Sequence, residues 1–317
     1  MSERRLDEYK LGWIGTGRMG FPLARRLVEA GCDLAVYNRT KSKAEPLTDL
    51  GARVVDTPAD LAERDIVFTM VAGNDDFREV ALGAAGVLTG DGARPSILID
   101  SSTVSEDVSN EIRAHGREVG TALLAAPVSG NPKVVKSGRL TFVVSGPEEA
   151  YETARPYFEV LGAGVTYVGD GEAARLVKIC HNLMLGVVTQ SLAEITVLAE
   201  KGGVRRSAFL DFLNKSVMGS TFTRYKTPAF VNLDFSPTFT PALLRKDFDL
   251  GLAAAHDLEV PMPVAALVRE IVQSLIGRGD GDVDFAKLLS QQATSSNLEL
   301  KPEDVEVSDG LEGRSGE

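Results

Sequence analysis

Lys10-Leu11-Gly12-Trp13-Ile14-Gly15-Thr16-Gly17-Arg18-Met19-Gly20 is the stretch whose reading decides the fold. Lys10–Ile14 has the composition of a buried strand, and Met19–Ala30 that of an amphipathic helix closed by Gly31. Between them lies a Gly-x-Gly-x-x-Gly turn. Gly15 permits a tight turn, Gly17 lets the backbone approach a pyrophosphate, and Gly20 lets helix and strand pack closely. The helix N-terminus then offers N–H groups to the phosphates. A second expected strand, Asp33–Asn38, follows within thirty residues, and that setting turns a short motif into a specific one. Gly15, Thr16, Gly17, Arg18, Met19 and Gly20 are therefore the expected phosphate loop of a dinucleotide site.

The second strand ends in Asn38-Arg39-Thr40, with Asn38 twenty-three residues after Gly15. Sites that prefer NAD usually place an acid here for the ribose 2′-hydroxyl. Asn38 removes that charge, and the Arg39 guanidinium suits a 2′-phosphate. Thr40 and Lys43 add donors. The pattern favours NADP(H) over NAD(H).

Outward from this unit, short β-rich runs alternate with helical stretches. The expected strands are Lys10–Ile14, Asp33–Asn38, Ala52–Val55, Asp65–Val71, Ser96–Asp100, Ala122–Ala125, Thr141–Ser145 and Val165–Val168. Helical stretches include Thr57–Glu63, Ser105–Val119 and Pro147–Leu161. Such alternation implies βαβ units and a mainly parallel sheet. The pattern changes near residue 170. Glu172 to Lys201 reads as one long helix, apolar on more than one side and carrying an internal Gly186. Arg206–Lys215, Pro241–Asp257, Met262–Gly277 and Val283–Gln291 read as further helices, with no strand among them. The expected fold is thus α/β. Residues 1–169 form a Rossmann-type dinucleotide-binding domain, and a long interdomain helix joins it to an all-α domain at 170–298.

Composition bounds the function. The chain has 317 residues, 44% of them apolar and 25% charged, which suits two folded domains rather than disorder or a disulfide scaffold. A net charge of −11 disfavours phosphate backbones, so no nucleic-acid partner is expected. Residues 299–317 read as an acidic, disordered tail: from Lys301 onward six acids face two bases. Cys32 and Cys180 cannot build a disulfide framework, and no metal-ligand spacing occurs. The polar N-terminus does not read as a signal peptide, and the uncharged run Ile179 to Ala193 is short for a bilayer span. The expected location is cytoplasmic, without a membrane partner.

Three further segments resemble the β-hydroxyacid dehydrogenase family, the group containing 3-hydroxyisobutyrate dehydrogenase and tartronate semialdehyde reductase and related to 6-phosphogluconate dehydrogenase. The resemblance runs from about Leu11 to Leu289, and its motifs occur in order at family spacing. The first is Asp100-Ser101-Ser102-Thr103. The resemblance places Thr103 beside the nicotinamide and Val71 in the cofactor site. The second is Ala126-Pro127-Val128-Ser129-Gly130-Asn131-Pro132. Here the Ser129 hydroxyl and the Gly130 and Asn131 backbones would bind a substrate carboxylate, although Asn131 stands where the family has a second glycine. The third is Lys178-Ile179-Cys180-His181-Asn182, with Lys178 and Asn182 on one helix face. By resemblance Lys178 is the general acid/base and Asn182 hydrogen-bonds the substrate. Glu172 and Ala174 replace two glycines of the family pattern upstream. Lys246, in Leu244-Arg245-Lys246-Asp247, would bring a second positive charge to substrate or cofactor.

The resemblance implies an NAD(P)-dependent oxidoreductase acting on a small carboxylate-bearing hydroxyacid or semialdehyde, and a homodimer or homotetramer. A lysine with its ordinary pKa of about 10.4 is a poor proton shuttle at neutral pH, so burial would have to lower it. An imine reductase of the same architecture commonly replaces the lysine, and a non-catalytic dinucleotide-binding protein would have lost it. Lys178 argues against both.

Overall fold

Three strands lie at the heart of the α/β unit because they are buried along their whole length: β1 (Leu11–Ile14), β4 (Ile66–Thr69) and β5 (Ile97–Asp100). Strands covered on both faces by helices read as continuous apolar runs, and these do. With β2 (Leu34–Tyr37), β3 (Arg53–Val54) and β6 (Ala122–Ala125) they form a six-stranded sheet in the order β3-β2-β1-β4-β5-β6. Every pairing in it is parallel. The computed structural model describes residues 6–90 and 92–311.

Connections from β1 run outward in one direction and those from β4 in the other, so the strand order reverses between β1 and β4. That is where open α/β sheets bind ligands, beyond the carboxyl ends of the strands. A smaller sheet pairs β7 (Val128–Ser129) antiparallel to β8 (Thr141–Val144), which runs parallel to β9 (Gly164–Tyr167). Each of the eight expected strands is present within two residues of its expected bounds; β7 is additional. Helices α1 (Gly20–Glu29), α2 (Asn74–Leu82), α3 (Glu106–Val119), α4 (Pro132–Lys136) and α5 (Glu148–Leu161) connect and cover the strands. Trp13 stacks on Phe68 with ring centroids 5.5 Å apart, and Phe158 of α5 meets Phe68 edge-on at 6.1 Å. At the end of α1, Gly31 takes a positive φ of 86° and the Cys32 N–H donates to Leu27 O, the expected glycine stop.

The chain divides into two units, Met1–Lys178 and Ile179–Glu317, within the helix α6 (Ala173–Lys201). The second unit continues with α7 (Arg206–Lys215), α8 (Thr221–Asn232), α9 (Pro241–Asp257), α10 (Pro263–Gly277) and α11 (Leu288–Ser295). By length and apolarity α6 is able to cross a bilayer, longer than its uncharged run suggested; half of its most apolar 18-residue window is buried inside the protein. Its core partners include Phe230, Phe248 and Phe285.

The segment after α11 corrects the expectation of a disordered tail. Leu300, Val305 and Val307 pack on the helical core, and Leu311 is buried. The Glu303 N–H donates to Val231 O, and the Asn232 amide to Val305 O. Arg206, fully buried, donates to Lys301 O as well as to Phe230 O and Val231 O. Averaged composition hid apolar residues spaced between the acids. Residues 312–317 lie outside the described residues.

A buried ion pair anchors α8. Lys226 Nζ lies 2.6 Å from Asp284 Oδ1, both side chains nearly inaccessible, and 4.3 Å from the Phe285 ring centroid. Burial alone would push the Asp284 carboxyl up. The Lys226 charge and hydrogen bonds from Lys226, Thr238 and Ala286 outweigh it and hold the carboxyl below the ordinary carboxylate range. The pair therefore stabilises the fold above the unfolded carboxyl pKa of about 3.9, and that contribution fades as pH falls through the lower folded value. Lys226→Met leaves a buried carboxylate without its partner and should cost about 3–5 kcal/mol at neutral pH. In the variant Asp284 can escape by taking a proton, so denaturant unfolding should show a smaller deficit at pH 5 than at pH 8.

Candidate functional site

The loop between β1 and α1 has the form its glycines require. Gly15 adopts a φ of 98°, and a Cβ there would lie 2.2 Å from Met70 O. A Cβ on Gly20 would lie 1.9 Å from Gly15 O. A Cβ on Gly17 would meet nothing within 4 Å, so that backbone faces open space. The Trp13 indole donates to Gly15 O at 2.8 Å and braces the turn. The N-terminus of α1 at Met19 has no side-chain cap and no acid in its first turn, which leaves its N–H groups suited to an anion. Arg18 is exposed and Met19 half-buried. The Thr16 hydroxyl is buried and has no hydrogen-bond partner among the described residues.

A cavity of about 260 Å³ opens beside this loop at the carboxyl ends of β1, β2 and β4. Asn38, Arg39, Thr40 and Lys43 line one part of it, and Asp76 and Glu79 of α2 another. The structure gives Asn38 a second task. Its Oδ1 accepts the Thr16 N–H and its Nδ2 donates to Thr40 O, each at 2.8 Å, so it ties the glycine loop to the end of β2. Arg39 is 82% exposed and pairs with Asp76 at 2.7 Å. Asp76 gave no sign of this in the sequence, since thirty-seven residues separate the two. An exposed pair of this kind contributes only about 0–1 kcal/mol, so a phosphate can displace it. Gly17's open face, the unpartnered Thr16 hydroxyl and the uncapped helix end fit a dinucleotide.

Val71 and Thr103 flank the sheet's next two strand ends. The Val71 N–H donates to Ser102 Oγ at 2.9 Å, which joins the loops after β4 and β5. Thr69 Oγ1 donates to Asp100 Oδ1 at 2.7 Å, and the Ser102 N–H also reaches that oxygen, at 3.1 Å. Thr103 is exposed at the tip. In the smaller sheet Ser129 pairs with Thr141. Gly130 has a φ of 142°, and a Cβ there would lie 2.8 Å from both Leu140 and Val134 side chains. Asn131 caps α4: its Oδ1 accepts the Lys133 and Val134 N–H groups at 3.0 and 3.1 Å. This departure from glycine therefore has a local cause, and the Asn131 side chain serves the helix.

Lys178 and Asn182 lie one turn apart on α6. Lys178 is half-buried and Asn182 buried. The Asn182 amide donates to Asp247 Oδ2 at 2.6 Å, and its oxygen lies 2.9 Å from His181 Nδ1. In the pair Lys246-Asp247 the lysine, the expected second positive charge, is exposed on α9. The residue that fixes Asn182 is the aspartate.

A parallel sheet carrying a glycine loop at its strand-order reversal is a dinucleotide-binding domain of the Rossmann type. Residues 10–169 match the family described as the NAD binding domain of 6-phosphogluconate dehydrogenase. Residues 171–291 match the NAD-binding family of NADP-dependent 3-hydroxyisobutyrate dehydrogenase. An uncharacterized oxidoreductase of Bacillus subtilis is 36% identical over 283 residues, covering 88% of this chain and 98% of that protein. The Arabidopsis thaliana chloroplastic glyoxylate/succinic semialdehyde reductase 2 is 30% identical, over 93% of this chain and 82% of its own length. A Mycobacterium tuberculosis 3-hydroxyisobutyrate dehydrogenase solved with L-serine superposes with a TM-score of 0.75 at 28% identity, covering 89% of this chain and 98% of that one. The chain belongs to the β-hydroxyacid dehydrogenase family of NAD(P)-dependent oxidoreductases.

The two glycines should separate binding from folding. Gly17→Ala puts a methyl into the open space a phosphate would use, so NADPH affinity should fall at least tenfold with the melting temperature unchanged. Gly20→Ala forces the loop apart and should lower both. Fluorescence titration beside thermal melts checks this.

Proposed function

We propose that the protein interconverts a small β-hydroxyacid and its semialdehyde, preferring NADP(H), with Lys178 as the general acid/base. The observation that carries this reading is the pair Lys178 and Asn182, one turn apart on one helix, with the Asn182 amide held by Asp247. The cofactor, when bound, supplies hydride chemistry at its nicotinamide ring. The chain's own residues do the rest. Lys178 Nζ gives a proton to the substrate oxygen as an aldehyde is reduced, and takes it back in the oxidative direction. Asn182, fixed by its neighbours, orients that oxygen. The Ser129 hydroxyl and the Gly130 and Asn131 N–H groups hold the substrate carboxylate. Similarity to a semialdehyde reductase and to a 3-hydroxyisobutyrate dehydrogenase supports the substrate class.

Incubating the pure protein with NADPH and a panel of small semialdehydes tests the activity. Lys178→Ala should lose about 10²–10⁴-fold in turnover, the range general acid–base catalysis supplies, with NADPH affinity nearly intact. Retained turnover above about a tenth of the original, below the lower bound of that range, sinks the assigned role.

The preference for NADP(H) rests on Arg39, Thr40 and Lys43 lining the cavity beside the glycine loop. Arg39→Ala should raise the NADPH Michaelis constant several-fold and spare NADH. Equal losses with both cofactors would refute the preference.

A homodimer or larger homo-oligomer accords with the apolar residues left uncovered on α6 and α10. Met184 and Leu198 are 69% and 72% exposed, and Leu267 is 64% exposed. Isolated apolar residues at a surface are ordinary, but Leu198 has exposed Ile195 one turn away on α6 and Leu267 has exposed Val264 one turn away on α10, and such paired exposure supports association. Light scattering at micromolar concentration should give at least twice the 33.9 kDa chain mass.

A further inference from the structure

Four charged side chains are buried around the first turn of α6, all within the unit Met1–Lys178. Asp100 is inaccessible, Arg113 is 5% exposed and Arg175 7% exposed, and the Glu172 side chain is 5% exposed. Two cations and two anions balance. Arg113 Nε and Nη2 approach Glu172 Oε1 at 2.9 and 2.6 Å, and its Nη2 also donates to Gly171 O at 2.9 Å. Arg175 Nε donates to Glu172 Oε2 at 2.8 Å. From the same guanidinium, Nη2 reaches Asp100 Oδ2 at 2.7 Å and Nη1 reaches Ser102 O at 3.2 Å.

These bonds tie the turn Gly171–Glu172 and the start of α6 to two places: through Arg113 to α3, and through Arg175 to the end of β5 and the loop Ser101–Ser105 that follows it. Buried ions are tolerated only when paired and hydrogen-bonded, so the bonded arrangement is far more favourable than any displaced one. Arg175 and Lys178 are three residues apart on the helix, so their side chains leave the same face. Fixing the first fixes the direction of the second.

We propose that Glu172 is a positioning residue for turnover: it locks the first turn of α6 to α3 through Arg113 and holds Arg175 against the Asp100–Ser102 strand end, and so sets where Lys178 stands relative to the Ser102–Thr103 loop. The proposal rests on the reading of Lys178 as acid/base. It concerns position and not proton transfer, because Glu172 itself is enclosed by its two arginines.

Glu172→Gln keeps the shape and removes the charge. Two measurements test it. In hydrogen–deuterium exchange on the ligand-free protein, segments 101–105 and 171–178 should lose protection while the glycine loop at 15–20 keeps it. In steady-state kinetics kcat should fall about 10–100-fold, the scale of an ångström-sized misplacement, with NADPH affinity and substrate KM within about twofold. Should the single variant fail to fold, Glu172→Gln with Arg113→Gln removes one charge of each sign, restores the balance and should show the same local exchange and the same kcat loss. A folded variant with unchanged kcat overturns the proposal and leaves the reading of Lys178 intact. Protection lost evenly across the unit also overturns it, since that marks a merely structural role. Turnover retained by Lys178→Ala, by contrast, defeats the acid/base reading itself and removes the catalytic link on which the proposal rests.

Discussion

The contact between Gly20 and Gly15 governs the first unit. A Cβ on Gly20 would sit 1.9 Å from Gly15 O, inside the distance any real side chain tolerates. Only with glycine at both positions does α1 begin close against the end of β1, with its N-terminus aimed across the sheet's strand-order reversal. Everything around it is arranged to keep that closeness. The Trp13 indole takes up Gly15 O, Asn38 takes up the Thr16 N–H, and β1 lies between β2 and β4 in one parallel register. The side chains that stiffen the loop are drawn from strand ends, so the rigidity of the sheet passes directly to the groups that would meet a phosphate.

Charge around the cavity is more balanced than the motif at the end of β2 suggests. Arg39 and Lys43 face Asp76 and Glu79 across it. Arg39 pairs with Asp76 beside the loop in an exposed contact that costs little to break. The same aspartate opposes a phosphate electrostatically. Arg39 could reach an incoming phosphate only by exchanging one anionic partner for another, so its net attraction is a difference between the two.

Much of the fold was legible because its determinants are local. Strands such as Ile66–Thr69 announce themselves by apolar runs, and the glycine loop by backbone demands that only one residue type meets. Helix α8 was not legible. Thr221, Thr223, Tyr225, Thr227 and Pro228 all lower helix propensity, and the helix stands because Ser220 caps it and Phe230 and Val231 are buried. The site divides in the same way. Lys178 and Asn182 are separated by one helical turn and could be read together. The bonds Asn182–Asp247 and Arg113–Glu172 join residues sixty-five and fifty-nine positions apart, and no periodicity carries that information.

Asn182 shows how such long-range placement is achieved. A glycine inside a helix costs about 1 kcal/mol relative to alanine, yet α6 contains Gly186 and α9 contains Gly251. A Cβ on Gly186 would lie 2.5 Å from the Phe248 ring, and one on Gly251 would lie 2.5 Å from Leu183. Rising numbers on α6 meet falling numbers on α9, so the two helices cross antiparallel, each seated in the other's glycine. Asn182 is four residues before Gly186, and Asp247 is four residues before Gly251. Each polar residue therefore shares a face with the glycine that admits the opposite helix. The close approach that the glycines permit is what brings an amide and a carboxylate, far apart in the chain, to 2.6 Å.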